Sequence, residues 1–178
     1  MNLFIDTSNN YIIFSLFSND SVMDYTCIET NRNQSEIFID ELNNFLLKNN
    51  YKLEQIDNFF FAQGPGSFTG IRVGLTVAKA LKVSGYNNVY VLSSLEILFN
   101  QYNDCKAIID ARGNKYYYQK VKDGVFSTPT IIEKDSIDIQ DAKQYENSFE
   151  NIAENVLNLV KAKRYSLDID SLYIKDAF

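Results

Sequence analysis

Histidine is absent from this chain of 178 residues, and its absence removes several kinds of chemistry at once. Without an imidazole there is no Ser-His-Asp or Cys-His catalytic site, and the usual nitrogen ligands of metals are missing. The only two cysteines, Cys27 and Cys105, lie far apart and outside any paired spacing. We therefore expect neither a disulfide framework nor a zinc site, and most hydrolase mechanisms are excluded.

Basic charge is also scarce, with 17 Lys and Arg against 23 Asp and Glu and a net charge of −6. Holding RNA requires clustered cations that neutralise the phosphate backbone, so we do not expect this chain to hold RNA on its own. No apolar run approaches the roughly 20 residues that span a bilayer. Residues 1–6 carry neither a basic region nor a long apolar stretch, so we expect a cytoplasmic protein that makes no membrane contact.

The chain is rich in apolar residues (46%) and in aromatic ones (14%), enough for one good core or two small lobes. Alternating apolar residues predict strands, and apolar residues at a spacing of three and four predict helices. The order of the predicted elements, β-β-β-α-β-α-β-α, is that of a ribonuclease-H-like lobe. The elements are strands 3–6, 11–17, 22–28, 58–62 and 89–91, and helices 35–49, 71–83 and 93–99.

A second start follows the polar residues 100–104. Strand 106–110 ends in Asp110 and is followed by strand 116–121, which repeats the opening pattern of strands 3–6 and 11–17. Two matching starts predict an α/β fold of the actin-like (ASKHA) kind, in which a ribonuclease-H-like unit is duplicated. We expect lobes at 1–102 and 103–178, the second reduced to one convincing helix at 149–162.

A glycine-rich loop joins the predicted strand 58–62 to the helix that follows it. Its glycines permit positive φ or close backbone contact, and Ser67 or Thr69 can cap the helix, whose first N–H groups form a potential anion site. The loop lacks the Gly-Lys-Ser/Thr ending of a Walker loop and the G-x-G-x-x-G order of a dinucleotide fold. It reads Gly64, Pro65, Gly66, Ser67, Phe68, Thr69, Gly70.

This loop, followed by residues 71–75 (Ile-Arg-Val-Gly-Leu), closely resembles the signature of the TsaB (YeaZ) family, an accessory subunit of bacterial tRNA threonylcarbamoyladenosine synthesis. Residues 5–8 resemble the first-strand motif of that family, residues 109–112 its second-lobe opening, and residues 172–175 its closing segment. The resemblance therefore spans both ends of the chain, with a shortened second lobe.

The resemblance implies a non-catalytic scaffold. Such a subunit dimerises with the TsaD-like catalytic subunit, which transfers a threonylcarbamoyl group to the tRNA adenosine next to the anticodon. A TsaE-like ATPase is a further implied partner, and a homodimer is a second implied arrangement. Because the chain is acidic, we expect it to reach tRNA only indirectly, through these partners. We expect no cofactor on this chain itself, and any ATP and Mg²⁺ would belong to the partner complex.

The two helices of the first lobe are the partner surface that the resemblance implies. Gly70, Gly74 and Ala78 recur at a spacing of four and predict a low face that another helix can approach. The apolar band of helix 71–83 is wider than one sheet requires, which predicts a second packing partner. The predicted interface consists of Phe38, Leu42, Phe45, Gly70, Arg72, Val73, Gly74, Val77, Ala78 and Lys79.

Asp6 and Asp110 support a different hypothesis, because each ends the first strand of a lobe. Actin-like ATPases hold Mg²⁺ and phosphate there, so an Mg-ATP-dependent phosphotransferase or ATPase is the alternative function. The turn after Asp6 contains no glycine that could cradle a phosphate. The two aspartates could therefore be a vestigial nucleotide site, and the simpler interpretation is that each forms a local turn through its own side chain. Ser67 has no nearby base, which argues against a peptidase.

Overall fold

The computed structural model describes residues 1–30, 33–99 and 104–170. Its first sheet has the strand order β3-β2-β1-β4-β5. The central strand β1 is antiparallel to β2 and parallel to β4, which in turn is parallel to β5. The strands are β1 (Asn2–Asp6), β2 (Tyr11–Phe17), β3 (Val22–Glu29), β4 (Asn58–Ala62) and β5 (Val89–Leu92).

The second sheet has the order β10-β6-β7-β8, and β9 also pairs with β7. The two strands of this sheet that come first in the chain, β6 and β7, form an antiparallel ladder, as β1 and β2 do in the first sheet. The two sheets therefore open with the same hairpin. The strands are β6 (Cys105–Asp110), β7 (Lys115–Lys122), β8 (Val125–Phe126), β9 (Thr130–Glu133) and β10 (Ala142–Lys143).

Three α-helices cover the two faces of the first sheet: α1 (Gln34–Lys48), α2 (Phe68–Val83) and α3 (Phe149–Lys161). Because side chains alternate along a strand, each face of the sheet has its own core. Leu3 and Ile5 pack with α1 and α2 on one face. Phe4 packs on the other face with α3 and with the inward residues of β6 and β7, so the two halves of the chain share this second core.

Most predicted elements are confirmed to within a few residues. The exception is the helix expected at 93–99, where the structure has only a 3-10 turn, Glu96–Leu98. Leu95, Ile97 and Leu98 are all buried in the core that α3 also contributes to. The predicted lobe boundary at 102/103 and the closing segment 172–175 lie outside the described residues, and the lobe division stays a prediction.

Candidate functional site

The loop 64–70 sets the start of α2. Ser67 is the N-cap residue, and its Oγ accepts the amide N–H of Gly70 (3.3 Å), as one of the two capping predictions proposed. The helix consequently begins at Phe68, three residues before the predicted start. The side chain of Phe68 is therefore carried on the first turn of α2 and is 49% exposed.

Two glycines of this loop, Gly66 and Gly70, are required by the turn that follows β1. A Cβ on Gly66 would overlap the carbonyl oxygen of Ser8, and a Cβ on Gly70 would overlap that of Thr7. Two hydrogen bonds fix this approach: Ser67 N–H donates to Ser8 O (2.6 Å), and Thr7 Oγ1 donates to Gly70 O (2.7 Å). The loop therefore packs on residues 7–8, and at least one of its N–H groups is already used there rather than offered to an anion.

The low face of α2 also turns inward, toward the chain's own sheet, and its contact with a partner helix stays a prediction. A Cβ on Gly74 would lie 2.8 Å from Thr7 Oγ1 and 3.8 Å from the ring of Phe61 in β4. Ala78, one turn further along, is fully buried in the same core. The small residues let α2 sit close to its own sheet, which periodicity alone does not distinguish from contact with another helix.

Phe38, Leu42 and Phe45 of α1 are likewise core residues, each at most 7% exposed. The ring of Phe14 in β2 lies 5.8 Å from that of Phe38 and 5.5 Å from that of Phe45 between centroids. These contacts hold α1 on the sheet. Their side chains serve folding, and of the three Phe38 also lines a surface groove; their part in a partner interface stays a prediction.

That groove runs between α1 and α2 and has a volume of about 430 Å³. Its wall is mostly apolar, and two large side chains there are open to solvent, Ile39 (55% exposed) and Phe68 (49%). The sequence analysis named Phe68 only as a residue of the signature loop and did not name Ile39, because both lie off the stripe of residues that packs on the sheet. The groove is lined by Ser35, Phe38, Ile39, Phe68, Thr69, Arg72, Val73, Thr76 and Val77.

Charged residues of opposite sign lie on the two helices that form the groove. The guanidinium of Arg72 lies 3.9 Å from the centroid of the Phe68 ring, a cation–π contact that holds a positive charge at the α2 edge. Glu36 and Asp40 are exposed on α1. Lys79 forms an exposed ion pair with Asp170 (3.4 Å), which is a weak contact.

Asp6 is buried, and its carboxylate is already occupied by hydrogen bonds. Oδ1 accepts the amide N–H of Ser8 (2.6 Å), and Oδ2 accepts the hydroxyl of Tyr145 (2.6 Å) and the amide of Asn9 (3.3 Å). Burial raises the pKa of Asp6 above its ordinary 3.8, and the bonds from Tyr145 and Ser8 oppose that rise. No open carboxylate faces a nucleotide here.

Tyr145 continues this network into the loop. Ser8 Oγ lies 3.2 Å from the Tyr145 hydroxyl and 2.9 Å from Ser94 Oγ, which accepts the amide N–H of Gly64 (3.1 Å). Desolvation and the neighbouring Asp6 raise the pKa of Tyr145 well above 10.0, so the phenol stays a donor. Sequence reasoning missed Tyr145, because it lies 139 residues from Asp6 in a polar stretch without periodicity.

Asp110 does not share this burial. Its carboxylate forms an ion pair with Lys134 (3.0 Å), and its Oδ1 accepts the amide N–H of Arg112 (3.0 Å). The bond to the amide two residues on repeats the turn that Asp6 makes with Ser8, so both aspartates form the local turn that was the simpler interpretation. Among the described residues, no three His, Cys, Asp or Glu groups gather as metal ligands would.

Removing the Tyr145 hydroxyl tests how much this network contributes. We expect Tyr145→Phe to lower the free energy of unfolding by about 1–3 kcal/mol, because it leaves a buried carboxylate oxygen without its short hydrogen bond. Tyr86→Phe, on a half-buried ring that packs against Phe59, is the matched control and should change it by less than about 0.5 kcal/mol. Urea unfolding measures both, and equal effects would contradict the assigned role of Tyr145.

The raised pKa of Asp6 predicts a pH dependence that Asp6→Asn should remove. Below 3.8, Asp6 is protonated in both the folded and the unfolded chain. As the pH rises through 3.8 the unfolded chain ionises first, so the native protein loses stability until its own raised pKa is passed. We therefore expect urea unfolding between pH 3 and pH 7 to favour the variant increasingly as the pH rises. Parallel stability curves would contradict the direction of the shift.

A duplicated α/β architecture, with a matching hairpin at the start of each sheet and a strand-end aspartate in each half, defines the actin-like class of two-lobed proteins. The family model described as "TsaD: tRNA N6-adenosine threonylcarbamoyltransferase" matches residues 28–164. The chain belongs to this family, as a member of the TsaB (YeaZ) type.

Individual relatives agree with this assignment. The chain is 28% identical over 187 residues to the uncharacterised MG208 homologue of Mycoplasma pneumoniae, covering 98% of this chain and 94% of that protein. It is 36% identical over 89 residues to the tRNA threonylcarbamoyladenosine biosynthesis protein TsaB of Haemophilus influenzae, covering 47% of this chain and 36% of that protein. YeaZ from Pseudomonas aeruginosa matches with a TM-score of 0.75 at 16% identity, over 97% of this chain and 99% of that one. The predicted fold class is confirmed.

No helix among the described residues combines the length and the apolar character needed to cross a bilayer.

Proposed function

We propose that this chain is a non-catalytic accessory subunit in tRNA threonylcarbamoyladenosine synthesis and that it binds a TsaD-like catalytic subunit through the groove between α1 and α2. Membership of the family and the name of the Haemophilus influenzae relative support the pathway. The observation that supports this interface is the apolar groove itself. Large apolar side chains that are about half exposed on two adjacent helices are typical of a surface that a partner covers.

Contacts at the groove indicate how a partner would bind. Ile39 and Phe68 would be its central apolar anchors, with the half-buried Val73 and Val77 between them. The positive edge at Arg72 and the negative edge at Glu36 and Asp40 would fix the orientation of the partner helices. Of the predicted interface residues, Arg72, Val73, Val77 and Lys79 remain in this proposal.

A scaffold role is favoured because the side chains that could react already make internal hydrogen bonds. Ser67 caps α2 and Asp6 is saturated by internal hydrogen bonds, so neither is presented to a substrate. In this proposal the partner carries the chemistry and any ATP and Mg²⁺, and a TsaE-like ATPase joins the assembly. The alternative of a free-standing Mg-ATP-dependent enzyme would need Tyr145 to leave Asp6.

Size-exclusion chromatography with light scattering, with and without a TsaD-like protein, tests the proposal. We expect the mixture to elute with the summed mass of the two chains, and the chain alone to elute as a monomer or as a homodimer that the partner displaces. Separate elution at micromolar concentrations would contradict the partnership. Calorimetric titration of the chain alone with Mg-ATP should be flat, and heat release with turnover would favour the alternative enzyme.

A further inference from the structure

One face of the second sheet packs into the core shared with α3, and its opposite face lies outside both hydrophobic cores of the protein. Ala107, Ile109 and Val121 point into the core shared with α3. The alternate residues of β6 and β7 lie on the other side, because successive side chains of a strand point to opposite faces. This outer face contains Lys106, Ile108 and Asp110 of β6, and Tyr116, Tyr118, Lys120 and Lys122 of β7. Ile108 at its centre is covered (1% exposed), and the exposed residues of the face are Asp110, Lys120 and Lys122.

Like charges oppose each other on this face. Lys106 and Lys120 are direct cross-strand partners, an arrangement that destabilises a sheet. Neither of them, nor Lys122, forms an ion pair with any residue in the described part of the chain. Asp104, which precedes β6, instead accepts the amide N–H of Asp123. A chain of net charge −6 thus concentrates unpaired positive charge on one sheet face.

Aromatic rings continue the same row. Tyr118 and Tyr116 precede Lys120 on the outer face of β7, and both are half-buried. The ammonium of Lys134 lies 5.0 Å from the centroid of the Tyr116 ring, so this end of the row already accommodates a cation over an aromatic ring. Lys134 also neutralises Asp110, the one acidic side chain among the outer-face residues of β6 and β7 (3.0 Å).

We propose that this outer face binds a single-stranded or looped segment of RNA. The exposed Lys120 and Lys122 would pair with phosphates, and the half-buried ring of Tyr118 beside them offers a surface on which an unstacked base can stack. An acidic protein segment would use the lysines but not the row of tyrosines, so the pattern favours RNA. The contact is auxiliary, because the chain as a whole is acidic, and it adds to RNA held mainly by another subunit. It does not depend on the groove between α1 and α2.

Titration of the isotope-labelled full chain with a single-stranded RNA octamer at low salt locates the contact by NMR. We expect shifts concentrated on β6 and β7, with affinity that falls as salt rises by a slope of about −0.7 for each phosphate contacted. Shifts elsewhere, or none up to about millimolar RNA, would overturn the proposal. The groove variants described below should leave this binding unchanged, so failure of the partner interface and failure of the RNA contact are separable.

Lys120→Glu separates RNA binding from a structural role. The substituted carboxylate would face Lys106, so we expect the thermal midpoint to stay equal or rise by about 1–3 °C. RNA affinity should nevertheless fall about 5-fold or more near 100 mM salt. Lys52 is an exposed lysine shortly before β4 of the first sheet. Lys52→Glu changes the net charge by the same amount and should lower the affinity for RNA by less than about 2-fold. Equal losses in the two variants would overturn the proposal.

Tyr118→Ala tests whether bases are recognised as well as phosphates. We expect it to weaken binding of the RNA octamer by about 5-fold or more while leaving binding of inorganic polyphosphate within about 2-fold. Equal weakening, or no weakening, of both ligands would overturn base recognition and leave only a general anion contact. If the alanine variant does not fold, Tyr118→Leu, which keeps an apolar side chain but no aromatic ring, gives the same comparison.

Discussion

Replacing Ile39 and Phe68 together by glutamate is expected to weaken binding of the TsaD-like subunit by about 100-fold or more, or about 3 kcal/mol. Both side chains line the groove and are about half exposed in the free chain, so they cost little to change there. In a covered interface each carboxylate would be buried without a partner, which is strongly unfavourable. Calorimetric titration of the variant with the TsaD-like protein measures the loss.

A matched control lies on the same two helices. Leu47 of α1 and Val83 of α2 are more exposed, at 71% and 90%, and neither lines the groove. The double variant Leu47→Glu and Val83→Glu introduces the same charge and should bind within about 3-fold of the native chain. If both double variants bind alike, the groove is not the centre of the interface. Urea unfolding should be similar for both, which separates lost binding from lost folding.

The strands and the two long helices could be predicted because each has one face in a core, and a buried face leaves a period in the local sequence. The cap of α2 could be narrowed to Ser67 or Thr69, because both hydroxyls stand next to the helix start, and the structure places it at Ser67. These features depend on residues close together in the chain. The sequence therefore contained enough to predict the architecture and the position of the signature loop.

The side of each helix that remains available could not be predicted in the same way. Gly70, Gly74 and Ala78 indicate close packing, but the sequence does not say whether the neighbour is a partner helix or the chain's own first strand. The answer depends on residues 7–8, more than 60 positions away. Tyr145 on Asp6 is a still longer contact. Exposed apolar residues such as Ile39 lie outside the helical repeat of core residues, so they are recognised as exposed only once the core is known.

The close approach at Gly70 predicts the largest loss of stability of any single change considered. We expect Gly70→Ala to lower the free energy of unfolding by about 3 kcal/mol or more. The added Cβ would overlap the carbonyl oxygen of Thr7, a backbone atom next to β1. Because β1 is hydrogen-bonded on both sides, α2 must move instead and lose the bonds from Thr7 and Ser67. Urea unfolding, followed by circular dichroism, measures the loss.

Gly74→Ala is the control that shows whether the backbone contact, rather than any methyl group on this face, is responsible. Its Cβ would meet Thr7 Oγ1 at 2.8 Å, a side-chain atom that can rotate away. Rotation would weaken one hydrogen bond, at a cost of about 1 kcal/mol, while alanine gains about the same amount in helix propensity over glycine. The net change should stay within about 1 kcal/mol. Comparable losses of stability at both positions would mean that α2 cannot accept any added volume against the sheet. If both variants are as stable as the native chain, Gly70 is not needed for folding.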